Sequence, residues 1–445
     1  MNAPHDAGAA GGSALFTDFY ELTMMAGYVD AGIADATATF DLFFRHPPGG
    51  IDQVVLAGCE QVIDELDGLA FDDDQLAYLE GLGQLPAAFL NRLRGERFAC
   101  DVLAIREGTP VFGNEPLLRV TGPLLQAQWV ETLLINRVAY ASLVASHALA
   151  VVRAARGKPV LEFGARRAHG PDGALTASRA AIVGGCTGTS NVAAARRYEL
   201  QVSGTQAHSW IMSFTNELDA FRAYAQTFPS QCVLLVDTYD TLALGVPNAI
   251  TVAEELAERG HPLRGIRLDS GDLDELSRGA RAQLDDAGFH DVDIIASGDL
   301  DAPAIAELEA AGAPIDAYGV GTAMVTARSD PSFSGVYKVA EVDGRPTLKL
   351  SGSPAKTSDP GRKQVWRTRT GDIVGLDHED HDGRVLLEPV LRRGERCRER
   401  ESIAQIARRC RDGVADLGQD GHRREVRRSD ELSALRARLI DALRP

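Results

Sequence analysis

The sequence predicts an α/β protein whose larger domain is an irregular, incomplete α/β barrel. Between residues 159 and 325, short apolar segments are each followed by small or polar residues and then by a helical pattern. Repeated units of this kind predict parallel strands, and a barrel is one natural way to close them. The units are too few for a regular eightfold barrel, and the long interruption between Arg166 and Gln201 favours an irregular one. The strand segments read VLEFGARR, CVLLVDTYDT, GIRLDSGD, DIIASGDL and DAYGVGTAM.

The region before the barrel predicts a first domain of mixed type. A helical stripe begins near Thr17 or Asp18, either of which could cap the helix, and Tyr20 then lies in its first turn. Residues 37–44 alternate like a strand, residues 101–120 form a strand-rich block, and residues 124–156 predict a helical stretch. After the barrel, Asp343-Gly344 predicts the turn of a hairpin. The predicted divisions are a flexible tail (1–14), an N-terminal mixed α/β domain (15–130), the barrel with the active site (131–330), and a C-terminal segment of hairpin, loop and helical tail (331–445).

Composition narrows the class of protein. The chain has 445 residues, of which 44% are hydrophobic, so it can bury large cores in two or three domains. It has no run approaching the roughly 20 apolar residues of a membrane span, and its start lacks a signal-peptide pattern, so we expect a cytoplasmic protein that binds no membrane. Its six scattered cysteines predict reduced thiols and no zinc site.

The net charge of −17 argues against nucleic-acid binding. It also means that an anionic substrate needs a locally positive cleft, for which Arg166, Arg167 and Arg267 are candidates. The arginine-rich tail, residues 392–444, is interspersed with acidic residues and predicts a solvated helical face.

Two glycine-containing turns predict phosphate-binding loops at neighbouring strand ends. In YGVGT the backbone near Gly319, Gly321 and Thr322 can approach a phosphate with little side-chain hindrance. SGD offers Ser297, Gly298 and Asp299 in the same way. A tight strand-to-helix turn explains the glycine spacing equally well.

The segment RLDSGDL brings a cation and a carboxylate together. Arg267 and Asp269 are two residues apart on a strand, so both side chains can reach one cleft. The carboxylate suits ribose hydroxyls or Mg²⁺, and the guanidinium suits a phosphate or an aromatic acid. An ion pair at a strand end is the alternative. Asp272 and Asp274 further along predict caps of the next helix.

A series of polar motifs runs along the chain. They are TDFYELTMMAGY (17–28), LEFGARRAHGPDGALTASRAA (161–181), GGCTGTSN (184–191), VSGTQAHSWIM (202–212), GIRLDSGDL (265–273), SGD (297–299) and YGVGTAMVT (318–326). In this order and spacing the series resembles nicotinate phosphoribosyltransferase. The resemblance implies an incomplete α/β barrel, a second domain built from the N-terminal and post-barrel segments, and a homodimer that shares its active sites.

The resemblance also implies the roles of several residues. The resemblance implies that His208 is phosphorylated by ATP with Mg²⁺ and that ATP binds largely where the phosphoribosyl donor does; the sequence contains no P-loop. Nicotinate is a flat anion that needs a stacking ring and a cation. The resemblance assigns Tyr20 and Phe163 to its ring and Arg166 to its carboxylate. By itself, Phe163 would be assigned to the core, and a histidine beside Trp210 to packing.

Other residues are weaker candidates for the same cleft. Thr189, Ser190 and Thr205 could orient phosphates, or could equally be turn and cap residues. Lys356 and Lys363 lie in a glycine-, proline- and lysine-rich segment, residues 351–367, that resembles a loop of the same family. Asp269 is the candidate Mg²⁺ ligand.

The function implied is formation of nicotinate mononucleotide and diphosphate from nicotinate and 5-phosphoribosyl 1-diphosphate, in NAD biosynthesis, with coupled ATP hydrolysis. A nicotinamide or quinolinate phosphoribosyltransferase is the nearest alternative, although Ser190 and Asn191 stand where an amide acceptor would favour an aspartate. An aldolase or isomerase barrel would need a lysine or carboxylate base at a strand end, and no lysine follows Lys158 in the barrel strands. A non-catalytic sensor is the third alternative, which the presence of His208 and Asp269 disfavours.

Overall fold

The structure, a computed structural model, describes residues 13–351, 356–418 and 424–443. The chain divides into two compact units, which we call unit 1 (residues 1–143 and 332–445) and unit 2 (residues 144–331). Most of the predicted flexible tail lies outside the described residues, as do residues 352–355 of the predicted loop.

Unit 2 contains a parallel sheet curled into a half-barrel, as the sequence predicts. The strand order is β7-β6-β11-β10-β9-β8, and each described neighbouring pair is parallel. All five predicted strand segments form strands, and a short sixth, β7, interrupts the long gap after Arg166. The fold-class prediction is therefore confirmed. The strands are β6 (Val160–Glu162), β7 (Gly188–Thr189), β8 (Val233–Leu235), β9 (Gly265–Leu268), β10 (Asp293–Ala296) and β11 (Ala317–Val320).

Helices follow these strands, and polar caps set where several of them begin. Asn191 accepts from the backbone N–H of Ala194 at the start of one helix, and Asp301 caps another in the same way. Asp272 caps its helix as predicted, whereas Asp274 pairs with Arg278 instead. The helices are α7 (Gly170–Val183), α8 (Val192–Tyr198), α9 (His208–Met212), α10 (Glu217–Thr227), α11 (Val246–Glu258), α12 (Leu273–Asp286), α13 (Ala302–Ala311) and α14 (Thr322–Val325), with a 3₁₀ turn at Ala165–Arg167 and a π-helical turn at Thr241–Gly245.

The core of unit 2 fixes the strands behind the candidate site. Leu234, Ile266 and Ile294 are fully buried on three adjacent strands, and they belong to one cluster with Phe221 of α10 and Leu256 of α11. Burying side chains of this size contributes about 1.5–3 kcal/mol each. The strand ends therefore have a rigid support.

Unit 1 is mainly antiparallel. One sheet has the order β13-β12-β1-β5-β3-β17-β18, a second has the order β16-β14-β15-β19, and β2 pairs with β4. Asp343 and Gly344 have φ of 48° and 69° at the predicted hairpin turn. The strands are β1 (Thr37–Phe44), β2 (Val54–Val55), β3 (Asp101–Ile105), β4 (Pro110–Val111), β5 (Leu118–Pro123), β12 (Gly335–Val342), β13 (Arg345–Pro346), β14 (Lys363–Arg367), β15 (Gly371–Leu376), β16 (Arg384–Val385), β17 (Leu387–Arg392), β18 (Glu395–Arg396) and β19 (Glu425–Arg428).

The remaining helices include one long apolar helix, α6. By length and composition, α6 could cross a membrane, but more than half of its most apolar stretch is buried inside the protein. That burial is typical of a core helix. These helices are α1 (Phe19–Asp30), α2 (Cys59–Leu66), α3 (Asp73–Gly81), α4 (Ala87–Leu93), α5 (Leu124–Trp129), α6 (Glu131–Ala154), α15 (Ile403–Leu417) and α16 (Asp430–Leu443).

Three expectations about unit 1 are wrong. Neither Thr17 nor Asp18 caps α1, because the Asp18 carboxylate accepts from the Thr132 hydroxyl and the Thr17 hydroxyl bonds Glu21. Lys363 begins strand β14 and does not lie in a loop. The C-terminal region is more than a helical tail, since it contributes β17, β18 and β19 to sheets. Several of its arginines are engaged in ion pairs, such as those of Arg396 and Arg398 with Glu60.

Candidate active site

The predicted site residues of unit 2 gather at the carboxyl ends of its strands. Because parallel strands end at the same edge of a sheet, turns that are distant in sequence become neighbours there. The turns after β8, β9 and β10 are joined by direct hydrogen bonds. The residues that end or directly follow the six strands β6 to β11 are Phe163, Thr189, Ser190, Asp237, Thr238, Asp269, Ser297, Gly298, Asp299, Gly321 and Thr322.

His208 is the first residue of α9 and stands between a hydroxyl and a carboxylate. Its Nδ1 is 3.1 Å from Oγ1 of Thr238, and its Nε2 is 3.9 Å from Oδ2 of Asp269. Its side chain is 39% exposed, so the ring is reachable from solvent. Only the Thr238 contact is short enough for a hydrogen bond, so the neutral ring can donate from Nδ1 to the Thr238 hydroxyl and keep the lone pair of Nε2 free.

Asp269 is held by the strands on both sides of it. Its backbone N–H donates to Oδ2 of Asp237 over 2.8 Å, and its Oδ1 accepts from Oγ of Ser297 over 2.5 Å. Asp237 also accepts from the hydroxyl of Ser270. Oδ1 of Asp237 is buried and has no protein partner among the described residues. The two carboxylates therefore leave one oxygen each for another group.

Arg267 contacts the segment that leads into His208. One guanidinium nitrogen donates to Oγ1 of Thr205 and another to the backbone oxygen of Gln206, both over 2.8 Å. Burial lowers the pKa of Arg267, while Asp269 and Asp237 oppose that shift. Sequence reasoning treated Arg267 and Thr205 as separate ligands, but the structure bonds them to each other. Arg267 thereby ties β9 to the turn before α9.

Phe163 and Gly319 lie against each other where β6 and β11 end. A Cβ on Gly319 would stand 2.5 Å from Cε2 of Phe163, so glycine is required for the ring to lie there. Phe163 is half-buried, and Arg166 is exposed in the 3₁₀ turn that follows. An aromatic face and a cation therefore occur within one short turn.

A buried carboxylate, Glu162, organises the turns beside Phe163. It accepts from the backbone N–H of Gly164, from Ser178 over 2.8 Å and from Thr189 over 2.5 Å. Thr189 is fully buried, so its hydroxyl serves this network, whereas Ser190 is exposed. Glu162 thus joins β6, α7 and β7 behind the candidate acceptor site.

Sequence reasoning missed Glu162, Asp237 and Thr238. The signal for the last two was available, because DTYD follows the apolar run VLLV as the other polar turns follow their strands. Glu162 carried no such signal, since a single acidic residue at a strand end is common. In the described residues, no group of three or more His, Cys, Asp or Glu is arranged as a metal cluster.

The remaining candidates lie in unit 1. Tyr20 lies in α1 with 47% of its surface exposed. Lys363 is buried, and its ammonium bonds Asp41 at 2.7 Å and the backbone oxygens of Asp359 and Gly361. These three partners use its three donors, which argues against a phosphate contact.

Lys356 has different surroundings. It lines a cavity of about 310 Å³ together with Arg45, Lys338 and Lys349, and Glu131 also lines this cavity. Four cations around one cavity outnumber the single carboxylate, so this part of unit 1 favours an anion.

A half-barrel that presents a histidine, an arginine, paired carboxylates and glycine turns at one edge defines a phosphate-handling α/β enzyme. The nicotinate phosphoribosyltransferase N-terminal domain model matches residues 15–139, and the model of the nicotinate phosphoribosyltransferase family matches residues 159–394. The chain belongs to the nicotinate phosphoribosyltransferase family.

Individual relatives agree with this family. The chain is 45% identical to a nicotinate phosphoribosyltransferase of Mycobacterium tuberculosis over 400 residues, covering 89% of this chain and 85% of the relative. It is 45% identical to the Bacillus subtilis nicotinate phosphoribosyltransferase over 384 residues, covering 84% and 78%. The structure of human nicotinic acid phosphoribosyltransferase matches with a TM-score of 0.83 at 30% identity, covering 96% and 100%. The predicted family and enzyme class are confirmed.

Proposed function

We propose that this chain forms nicotinate mononucleotide and diphosphate from nicotinate and 5-phosphoribosyl 1-diphosphate, and that ATP drives the reaction through a phosphohistidine at His208. The observation that carries the proposal is the position of His208 between Thr238 and Asp269 at the edge of the half-barrel. A packed histidine would be buried, whereas this ring is part-exposed and faces two polar groups.

The phosphorylation step needs a neutral imidazole with one free lone pair. That nitrogen attacks the γ-phosphorus of ATP, an N–P bond forms, the bond to the bridging oxygen breaks, and ADP leaves. With its proton on Nδ1, where Thr238 accepts it, the neutral ring presents the lone pair of Nε2 to the phosphate, beside Asp269. Arg267 fixes the backbone of Gln206 two residues before His208, which holds α9 in place.

The transfer step joins the pyridine nitrogen of nicotinate to the ribosyl carbon as diphosphate departs. The nitrogen already has a lone pair, so no general base is required, and catalysis is mainly positioning and charge stabilisation. Phe163 would stack on the acceptor ring and Arg166 would bind its carboxylate. Tyr20 would supply the opposite face in a homodimer whose active sites include both subunits.

Residues of the β10 and β11 turns would bind the phosphoribosyl group. Exposed Asp299 suits the ribose hydroxyls, and the backbone at Gly298, Gly321 and Thr322 suits the 5-phosphate. Ser190 is exposed and suits the same cleft. In unit 1, Lys356 and the cations around its cavity suit a diphosphate or phosphate group.

The free carboxylate oxygens fit Mg²⁺. Asp237 has a buried oxygen with no protein partner among the described residues, and Oδ2 of Asp269 accepts no hydrogen bond there. Carboxylate oxygens are the ligands that Mg²⁺ prefers, so Asp237 and Asp269 would hold it. The ion would neutralise charge on the phosphates of the substrates. We also propose a cytoplasmic location, which the six free thiols support.

Product analysis tests this proposal. Wild type and His208→Ala are each given the phosphoribosyl donor with nicotinate, nicotinamide or quinolinate, with and without ATP. We expect nicotinate mononucleotide as the product, ATP stimulation in wild type, and loss of that stimulation in the variant. Equal stimulation in both proteins would reject the role of His208, and preferential use of another acceptor would reject the roles of Phe163 and Arg166.

A further inference from the structure

The hydroxyl of Ser297 points at a carboxylate and not into an open loop. Ser297 follows β10 and is 3% exposed. Its Oγ lies 2.5 Å from Oδ1 of Asp269 and 3.3 Å from the backbone oxygen of Leu268. A hydroxyl has one proton, and the shorter contact to a charged acceptor is the stronger hydrogen bond. That proton is therefore engaged by Asp269.

The backbone of Ser297 and Gly298 also lies close to that of Leu268 and Asp269, so the two turns are held together. The N–H of Ser297 donates to the oxygen of Leu268 over 2.8 Å. Gly298 has a φ of 109°, and a Cβ there would stand 2.3 Å from the backbone oxygen of Asp269. Only glycine allows the two turns to approach this closely. On the other side, Asp237 accepts the N–H of Asp269.

These contacts leave Asp269 with one engaged oxygen and one available oxygen. Oδ1 accepts from Ser297, and Oδ2 faces Nε2 of His208 at 3.9 Å. If the carboxylate rotated, it would lose the Ser297 bond. The hydroxyl thus fixes the orientation in which the carboxylate presents its other oxygen to His208.

We propose that Ser297 is a positioning residue of the reaction, which holds the Asp269 carboxylate so that Oδ2 faces His208. This inference rests on the proposed roles of Asp269 and His208. It replaces the expectation that Ser297 binds the 5-phosphate, because a buried hydroxyl whose proton is already donated has none left for a phosphate oxygen.

A double-mutant cycle tests the inference. Ser297→Ala, Asp269→Asn and the double variant are compared by kcat and by KM for the phosphoribosyl donor, with ATP present. A hydrogen bond to a charged group supports a loss of kcat of about tenfold to a hundredfold in Ser297→Ala, with the donor KM within about twofold of wild type. In the Asp269→Asn background, the same change should cause no further loss.

Two further variants serve as controls for this experiment. Ser277→Ala removes another fully buried serine hydroxyl, one that donates to the backbone oxygen of Asp274 in α12, and should leave kcat unchanged. Ser297→Cys keeps a weak donor at the site and should retain a kcat between those of wild type and Ser297→Ala. If Ser297→Ala does not fold, Ser297→Cys is compared with wild type in its place.

The outcomes separate this inference from the proposed function. If Asp269→Asn keeps the wild-type kcat, the proposed role of Asp269 fails, and the inference fails with it. If Asp269→Asn is impaired but Ser297→Ala raises the donor KM, and the two losses multiply, then Ser297 is a phosphate ligand and the inference alone is overturned.

Discussion

Replacing Gly319 by alanine should impair nicotinate recognition through Phe163. The added methyl would stand 2.5 Å from Cε2 and 2.6 Å from Cδ2 of the ring. Since ordinary contact begins at 3.4 Å, the ring must retreat by about 0.9 Å. A displacement of about 1 Å in a substrate-positioning group can cost up to about a hundredfold in rate. Overpacking should also lower the free energy of unfolding by about 1–3 kcal/mol.

The assay is steady-state kinetics with each substrate varied in turn. Gly319→Ala should raise the KM for nicotinate and lower kcat/KM for nicotinate by about tenfold to a hundredfold, with a smaller change in the KM for the phosphoribosyl donor. Gly81→Ala is the matched control, because a Cβ at this last residue of α3 meets nothing within 4 Å. A variant that folds and binds nicotinate like wild type would refute the stacking role of Phe163. A rise confined to the KM for the phosphoribosyl donor would show that Gly319 instead lies against the 5-phosphate of the donor.

Three other changes test separate parts of the molecule. Thr238→Val removes the hydroxyl beside Nδ1 of His208, so the ATP-stimulated rate should fall by about twofold to tenfold, whereas Thr238→Ser should retain it. Glu162→Gln places an amide where a buried carboxylate accepts from three donors, and urea unfolding should show a loss of about 1–3 kcal/mol. Burial, together with the neighbouring Asp372, raises the pKa of Glu115 well above its ordinary value of 4.5. As the pH rises above 4.5, the unfolded state therefore loses this proton before the folded state does, and the free energy of unfolding falls. Glu115→Gln should flatten this dependence, as urea unfolding at several pH values would reveal; an unchanged slope would contradict the assignment.

Much of the fold follows from local sequence pattern. The segment at residues 37–44 becomes β1 with the same bounds, and the five apolar barrel segments become strands. These segments carry their own signal, because an apolar run followed by a polar turn is visible in a window of about ten residues. Strand β7 was missed because its two residues, Gly188 and Thr189, carry no apolar run.

The site was harder to predict because its contacts join distant turns. The sequence gives no sign that the Ser297 hydroxyl meets Asp269, or that Lys363 pairs with buried Asp41. Spacing identifies residue types at a strand edge, but the sheet register decides which of them meet. Polar residues were therefore located correctly at the edge, while several were expected to contact phosphates and are in fact bonded to each other.

Transfer of label from ATP tests the role of His208 most directly. Wild type and His208→Ala are incubated with Mg²⁺ and ATP labelled on the γ-phosphate, without nicotinate, and label on the protein is measured after mild alkali and after acid. We predict that wild type takes up label that survives alkali and is lost in acid, that the variant takes up none, and that adding nicotinate with the phosphoribosyl donor discharges it. A wild-type protein that remains unlabelled while ATP still stimulates turnover would contradict the phosphohistidine mechanism, as would equal labelling of the variant.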